Sequence, residues 1–407
     1  MAEVILSPGV FQQETDQSFY NATPQVVGAA IVGPTVKGIP YVPTYVTNYN
    51  QFLTLYGDIF QPTGSSYYYE YFTSLAAKEY FANGGQTMLV TRIISGSTNG
   101  KASTYASSNV SASSTIAFTL ETLAWGDIMN NDNTPDSQGA LPSGSNENIR
   151  WEVAYSDTGS GVFTLLVRRG SDNTAQKDVL ETWSNMSLDP QLPNYISRII
   201  GDIKPTPDMA TGVVNYSGSF ANKSAYIRVK SVTNVMVDSL DNNGDFKSGS
   251  YGTLMPVAGT SGAFAGGLAA TDYGGTNVAS GFYEEASGSN IQGFDPSDYT
   301  KGFSFLTDKD GVQFNLLLAP GISLDSDTAA SANAAITTVE NRGDAVVLLD
   351  ATKFNSSIAV ATGNAAPFLS NYAATYYPWV QVYSMGLGKS VWCPPTTLVG
   401  GVLAYNE

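Results

Sequence analysis

The side chains best placed for chemistry are three aspartates near the ends of two predicted strands. Asp325 and Asp327 follow one buried strand, and Asp350 ends the next. Ligand sites of α/β proteins commonly lie at the carboxyl ends of parallel strands, so these aspartates could hold a divalent metal. No glycine-rich fingerprint accompanies them, however, and a helix-capping role suits Asp325 or Asp327 better. A metal-dependent enzyme is therefore the weakest of three functional hypotheses.

The residues that most catalytic sites require are scarce. The chain has no histidine and a single cysteine, Cys393. This excludes Ser-His and Cys-His catalytic pairs, HExxH zinc sites and histidine-based pH switching. It also excludes an intramolecular disulfide and paired-cysteine metal motifs, and Cys393 is expected to pack beside Trp392. We predict no catalytic residue, no cofactor and no metal.

Three short motifs resemble ligand-binding loops but lack the full pattern. "GLGKS" at 386–390 evokes a phosphate loop, yet Tyr383 occupies the position of the first glycine, and the context predicts a hairpin turn. "DNNGD" at 241–245 and "DKDG" at 308–311 resemble parts of calcium loops. Neither has the required register or the downstream glutamate, so both are interpreted as turns.

The bulk composition favours contact surfaces over a highly solvated enzyme. The chain has 407 residues, a length that predicts two or three domains, and only 13% of them are charged. Its net charge of −16 disfavours direct binding of nucleic acid, because phosphates repel an acidic surface. No apolar run is long enough to span a membrane, and no signal peptide precedes the fold.

The periodicity predicts a discontinuous α/β core domain made of residues 22–95 and 295–407. Its first piece contains strands at 26–32 and 87–94, a strand ending at Val46, and helices at 48–57 and 66–83. Its second piece contains helices at 296–306 and 325–342 and strands at 314–320, 345–350 and 374–383. The strand–helix–strand order implies parallel pairing. The predicted fold class is a multidomain α/β or α+β protein.

Between these pieces, residues 96–294 are predicted to form an outward-facing, mostly β insertion. Residues 95–114 resemble a linker, and 248–292 are interpreted as a loop because they are rich in Gly, Ser and Ala. "IRWEVAYS" and "GVFTLLVRRG" predict paired antiparallel strands. In the core, the run "YYYEYF" at 67–72 has more rings than one helix face can bury, which favours an interface for some of them.

The first 21 residues predict an extended arm. Residues 4–13 have a strand pattern that Pro8-Gly9 interrupts, and the polar stretch 14–25 has no period. A terminal strand needs a partner for its backbone N–H and C=O groups, so this strand must pair with its own domain or with another molecule.

Several stretches in order resemble the contractile tail sheath proteins of bacteriophages and related injection machines, such as R-type pyocins. They are "SPGV" (7–10), "GAAIVGPTVKG" (28–38), "FLTLYG" (52–57), "YFANGGQTMLVTRI" (80–93), a segment at 185–196, "FNLLLAPG" (314–321), "YYPWVQV" through "VWCPP" (376–395), and Gly400-Gly401. "NGG" followed by Arg92, with "YYPW" and "PP" far downstream, is the most specific combination. The structural positions matched to the family are Gly33, Pro34, Gly38, Asn83, Gly84, Gly85, Arg92, Pro320, Pro378, Trp379, Pro394 and Pro395.

The resemblance implies a structural subunit without enzymatic activity. Such subunits stack as hexameric rings into a helical tube around an inner tail tube, and contraction drives that tube through the host envelope. Implied partners are further copies of the chain, the tail tube protein, and the baseplate and terminator proteins. The implied location is the virion tail, assembled in the host cytoplasm. The implied strand donors to a neighbouring copy are Val4, Leu6, Pro8, Gly9, Val10 and Phe11.

One feature of the sequence departs from the family pattern, and one alternative function stays open. The family normally continues past the "PP" region into a C-terminal assembly domain that contains the arm's usual receptor, whereas this sequence stops at Glu407, so it represents either a shortened form or a part of a longer chain. The alternative hypothesis is a β-rich tail or surface protein that recognises a host glycan through the Tyr/Asn/Ser-rich loops of the insertion.

Overall fold

A computed structural model describes residues 28–61, 67–94, 105–131, 134–267, 282–284 and 291–406. The strands are β1 (Ala29–Gly33), β2 (Thr44–Val46), β3 (Ile59–Phe60), β4 (Tyr69–Glu70), β5 (Met88–Arg92), β6 (Tyr105–Ser111), β7 (Ile116–Trp125), β8 (Ile149–Asp157), β9 (Val162–Arg169), β10 (Val179–Met186), β11 (Lys204–Asp208), β12 (Val213–Ser217), β13 (Ile227–Val232), β14 (Ser261–Ala263), β15 (Leu316–Ser323), β16 (Val346–Asp350), β17 (Ala373–Tyr376), β18 (Val380–Ser384) and β19 (Lys389–Cys393). The α-helices are α1 (Tyr49–Tyr56), α2 (Phe72–Ala82), α3 (Ile196–Ile200), α4 (Ser248–Tyr251), α5 (Pro296–Ser304), α6 (Ala329–Arg342), α7 (Ile358–Ala365) and α8 (Thr396–Asn406).

A six-stranded sheet joins the two ends of the described chain. Its strand order is β17-β16-β15-β1-β5-β2. All neighbours pair in parallel except β2, which runs antiparallel to β5. The predicted parallel pairing of the two strands that flank α6 is therefore confirmed. β1 lies between strands that are more than 200 residues apart in the sequence, so neither piece forms this sheet alone.

Helices cover both faces of this sheet, which explains why its central strands are apolar at successive positions. Ala30 and Val32 of β1 point to the core that contains α5 and α6. Ala29 and Ile31 point to the opposite core, which contains α1, α2 and α8. Both cores consist of buried apolar side chains, so the sheet is held firmly from its two faces.

Capping residues fix the helix ends where the sequence predicts them. The Asn48 side chain accepts a hydrogen bond from the Gln51 amide at 2.8 Å, and α1 ends at Gly57. Asp295 and Asp298 form a capping box at the start of α5. α6 ends at Gly343, which has a φ of 74°.

Residues 105–264 contain a second, mostly antiparallel β arrangement. One sheet has the order β13-β7-β6 and another the order β10-β9-β8-β14. They bury a common core in which Phe118 and Phe163 stack with ring centroids 5.5 Å apart. The predicted antiparallel pair "IRWEVAYS" and "GVFTLLVRRG" is confirmed as β8 and β9. Together with the six-stranded sheet, this arrangement confirms the predicted mixed, multidomain fold class.

Several predicted elements are wrong in extent. The helix predicted at 66–83 begins only at Phe72, because Tyr69 and Glu70 pair with β3. The strand predicted at 374–383 is two strands, β17 and β18, which belong to different sheets on either side of Pro378. The predicted helix at 325–342 starts at Ala329, after a turn.

Other elements lie where loops were predicted. β6 occupies residues assigned to a linker, and β14 lies in the stretch interpreted as a loop. β11 and β12 form a hairpin that the sequence analysis did not identify, and α7 and α8 were also missed. Among the described residues, no helix is long and apolar enough to cross a bilayer.

Candidate functional site

The Asp350 carboxylate is a structural tie at the carboxyl end of β16. Its Oδ1 accepts hydrogen bonds from the Thr396 amide at 3.0 Å and the Thr396 hydroxyl at 2.5 Å. Its Oδ2 accepts one from the Gly321 amide at 3.1 Å. Burial raises the pKa of Asp350 to about 6, and these hydrogen bonds oppose that rise. The side chain thus joins β15, β16 and the start of α8.

Asp325 has a similar role one strand away. Its Oδ2 accepts hydrogen bonds from the Lys353 amide at 2.6 Å and the Ser323 hydroxyl at 3.0 Å, and its Oδ1 accepts one from Asn364 Nδ2 at 2.6 Å. Asp327 is exposed and lies 3.9 Å from Lys353 Nζ. Asp325 and Asp327 thus share Lys353 as a partner, through its amide and its Nζ respectively, whereas Asp350 has partners of its own. The carboxylates of Asp325 and Asp350 accept their hydrogen bonds from backbone and side-chain groups of this chain. Their structural role is therefore to hold neighbouring loops together.

Among the positions that resemble the sheath family, Arg92 joins two other parts of the chain through hydrogen bonds. It is 2% exposed, and its Nη1 donates to the Gly38 carbonyl at 2.6 Å and the Trp125 carbonyl at 3.2 Å. Gly38 has a φ of 116°, and a Cβ atom there would lie 2.7 Å from the Tyr56 ring. Gly33 is equally crowded, because a Cβ would lie 2.2 Å from Thr73 Oγ1. These residues lock the turn after β1 onto β5 and β7.

A second contact joins the same turn to the β insertion. Lys37 Nζ lies 2.7 Å from Glu147 Oε2, and both side chains are largely buried. The Trp125 amide donates to the Gly38 carbonyl at 3.1 Å. A crevice of about 60 Å³ lies at this junction, and its lining includes Lys37, Gly38 and Glu147 together with Tyr56 and Met129. The turn thus links the six-stranded sheet to the β arrangement of residues 105–264.

The "NGG" motif at 83–85 closes α2. Asn83 Nδ2 donates to the Glu79 carbonyl at 2.8 Å, and the Gly84 amide donates to the Phe81 carbonyl at 3.3 Å. Gly84 has a φ of 99°, so it supplies the left-handed residue of the cap. Gly85 follows and packs on Tyr80.

The motif positions from Pro320 onward lie in or next to the strands of the six-stranded sheet. The Pro320 carbonyl accepts a hydrogen bond from the Tyr299 hydroxyl at 3.3 Å. Pro378 follows β17 in a cis peptide bond. Trp379 Nε1 donates to the Thr352 carbonyl at 2.9 Å. The Pro394 carbonyl accepts a hydrogen bond from the Thr397 amide, and the Pro395 carbonyl accepts from the next two amides of α8. "GLGKS" is a hairpin turn between β18 and β19, as predicted.

The sequence analysis missed Glu70, a buried carboxyl group inside the aromatic run that interacts with the half-buried Asp58. Glu70 is fully buried, and its Oε2 accepts a hydrogen bond from the Ser384 hydroxyl, while Oε1 has no hydrogen-bond partner among the described residues. The Tyr49 hydroxyl donates to Asp58 Oδ1 at 2.9 Å. Burial, and then the charge of Asp58, raise the pKa of Glu70 to about 8. A lone charge within "YYYEYF" is the signal that could have identified it.

Of the predicted interface residues, Tyr67 and Tyr68 are 65% and 52% exposed, whereas Tyr69 and Tyr71 are buried. The predicted strand donors, Val4, Leu6, Pro8, Gly9, Val10 and Phe11, lie outside the described residues. Cys393 is buried as predicted, and burial raises the pKa of its thiol to about 12.

Comparisons with known proteins return structural similarity alone. No family model matches the sequence, and no curated protein gives a significant match. The chain is similar to a solved sheath tail protein from Listeria innocua, with a TM-score of 0.45 and 10% identity over 94% of this chain and 56% of that one. It is also similar to one from Desulfitobacterium hafniense, with a TM-score of 0.39 and 12% identity over 98% and 62%. The chain therefore spans less than two thirds of the length of either protein.

Proposed function

We propose that this chain is the structural subunit of a contractile tail sheath. In this role, copies of the chain stack as hexameric rings into a helical tube around an inner tail tube, between a baseplate and a terminator. The tube forms in the host cytoplasm and becomes part of the virion tail. Contraction then drives the inner tube through the host envelope without enzymatic chemistry in the subunit.

The observation that carries the proposal is where the family-like motifs lie. Stretches that are up to about 300 residues apart in the sequence meet at one sheet, where Arg92 holds the turn that follows β1 and Asp350 holds the "PP" segment at the start of α8. A motif set that serves chemistry would point side chains into an open cleft. Here the motif residues instead brace the sheet, as a subunit that moves as a rigid body requires.

Helical assembly follows from heterologous contacts, in which different surfaces of identical copies meet and the contact does not close. An arm that adds a strand to a neighbour can keep copies joined while they move. The proposal assigns that role to residues 4–11, which the sequence predicts to be a strand without a local partner.

The first experiment images the purified full chain by negative-stain electron microscopy. We expect rings or tubes. A variant that lacks residues 1–20 should sediment as a folded monomer with the same circular dichroism spectrum, because these residues precede every described element. Normal tubes from the truncated variant would exclude the arm, and a full chain that stays monomeric at high concentration would argue against a sheath.

A further inference from the structure

β17 presents the unpaired edge of the six-stranded sheet. Within the described part of the chain, it pairs only with β16. The carbonyls of Tyr372 and Tyr376 accept hydrogen bonds from the Val347 and Ala351 amides on the β16 side, at 2.8 and 3.1 Å. Because successive residues of a strand point their backbone groups in opposite directions, the N–H and C=O groups of Ala373 and Thr375 point away from the sheet.

The surroundings of this edge lack the charges that commonly protect a sheet edge, and its prolines, Pro367 and Pro378, lie outside β17 itself. Edge strands usually carry charges or proline against unwanted pairing. Residues 354–388 contain no Asp, Glu, Lys or Arg, although 13% of the whole chain is charged. The α7 helix in this run, "IAVATGNA", has only one buried residue, Ala361.

Large apolar side chains are exposed in the segment that precedes the strand. Ile358 and Val360 of α7 are 67% and 44% exposed, and Leu369, which precedes β17, is 92% exposed. Several large exposed apolar side chains within one short, uncharged segment favour an interaction site. We call β17, α7 and the segment between them the edge surface.

We propose that the edge surface binds residues 4–11 of a second copy of this chain, which add a strand to β17. The inference rests on the proposed function and specifies where the arm binds. "VILSPGVF" is uncharged and has a strand pattern, so it matches an uncharged edge and can satisfy its outward N–H and C=O groups. A nucleic-acid ligand would require basic groups, and residues 354–388 contain no lysine or arginine.

The length of the arm allows this contact. Residues 12–27 separate the donor segment from Gly28, the first residue of the described core. At ~3.3 Å per residue they can extend about 50 Å, enough to leave one subunit and reach the edge of the next. The same reach would also allow the arm to bind its own β17, and the experiment below separates the two cases.

The first test alters the edge in the full-length protein. Thr375→Pro removes an outward N–H while leaving the bonds to β16 in place, because those involve Tyr372 and Tyr376. Proline is tolerated on edge strands. We expect it to raise the critical concentration for assembly by about tenfold or more, since a ladder bond is lost and the ring blocks approach. Thr375→Ala, which keeps the N–H, should assemble normally.

A second pair of variants tests the apolar part of the edge surface. Leu369→Lys places a charge on the edge surface, and Val213→Lys places one on the exposed β12 strand of the insertion, where the wild-type side chain is 55% exposed. Only the first should impair assembly, and both should fold, because both side chains face solvent. Equal impairment by both variants would mean that the edge surface has no special role.

Cysteine cross-linking tests whether residues 4–11 bind β17 and whether they come from a second copy of the chain. Subunits with Val10→Cys are mixed with subunits carrying Thr375→Cys, and the native Cys393 stays silent because it is buried. We expect a disulfide-linked dimer from the mixture and none when Val213→Cys replaces Thr375→Cys. A disulfide requires Cα atoms within about 7 Å, and Leu6→Cys serves as a second donor position.

The outcomes distinguish this inference from the proposed function. Tubes that form normally with Thr375→Pro, and without the Val10–Thr375 cross-link, would overturn the edge-surface inference and leave the sheath proposal standing. An intrachain disulfide in the dilute double variant would show that the arm binds its own subunit. A dimer formed by Thr375→Cys alone would instead show that two edges pair with each other.

Discussion

At the scale of single residues, two buried carboxyl groups couple the fold to pH. Burial raises the pKa of Glu70 to about 8 and that of Asp350 to about 6. Each folded-state pKa lies above the usual carboxyl value, so the folded state retains protons that the unfolded state releases. Stability from these groups is therefore fully present below about pH 4 and is lost as pH rises toward 8.

The Glu70→Gln variant tests this coupling. Glutamine resembles the protonated acid, can donate to Asp58 and can accept from Ser384. At pH 9 we expect the variant to be more stable than the wild type by on the order of 1–3 kcal/mol, and at pH 4 the two should be nearly equal. Urea unfolding followed by tryptophan fluorescence across this pH range measures the difference.

The control is Glu340→Gln, which alters an exposed glutamate on α6. It should leave the pH dependence of unfolding unchanged. If Glu70→Gln instead lowers stability equally at pH 4 and pH 9, folding does not shift the pKa of Glu70 and the coupling does not exist.

The sequence identified some of these residues and not others, for physical reasons. Arg92 and Gly38 lie in stretches whose spacing is readable locally, so a motif points to them. The importance of Glu70 depends on Ser384, 314 positions away along the chain, and on Asp58. Such a contact exists only once β4 and β18 pack together, and no local pattern encodes it.

At the scale of elements, the turn between β1 and β2 is the part whose geometry is most constrained. Gly38→Ala would place a methyl group 2.7 Å from the Tyr56 ring at a φ of 116°. We expect it to destabilise the protein by about 2–4 kcal/mol, from strain and from displacement of the turn that Arg92 holds. Thermal unfolding by calorimetry measures the loss.

Gly84→Ala is the matched comparison. Gly84 also has a positive φ, 99°, but no atom lies within 4 Å of the position of its Cβ. This variant isolates the backbone cost, about 1 kcal/mol. Equal losses for the two variants would show that crowding against Tyr56 contributes nothing.

Element prediction succeeded where a local signal is strong and failed where tertiary contacts decide. Asn48 and Gly57 bound α1 as expected, since caps act within one turn of the helix. β11, "KPTPD", has two prolines and no apolar alternation, so nothing local favours a strand, yet it pairs with β12 in a hairpin. α7 lacks the polar face of an exposed helix, which hides it from periodicity.

At the scale of the whole molecule, the net negative charge opposes assembly, whereas the uncharged edge surface permits contact between copies. Identical copies each carry a net charge of −16 and repel one another, whereas the edge surface is uncharged. Raising the ionic strength from about 10 mM to 0.15 M should therefore lower the critical concentration for assembly, because salt screens the repulsion. Sedimentation of the assembled fraction measures this effect. Tubes that dissolve as salt is added would indicate ion pairs across the contact instead.

The uncharged run has a consequence for how this protein is probed. No lysine or arginine lies between Lys353 and Lys389, so trypsin releases residues 354–389 as one long peptide. Amine-reactive reagents have no target within that run. Trypsin footprinting and lysine mapping thus bypass β17 and α7, whereas chymotrypsin, which cuts beside the exposed Tyr372, Tyr376 and Leu369, reports directly on whether that surface is covered.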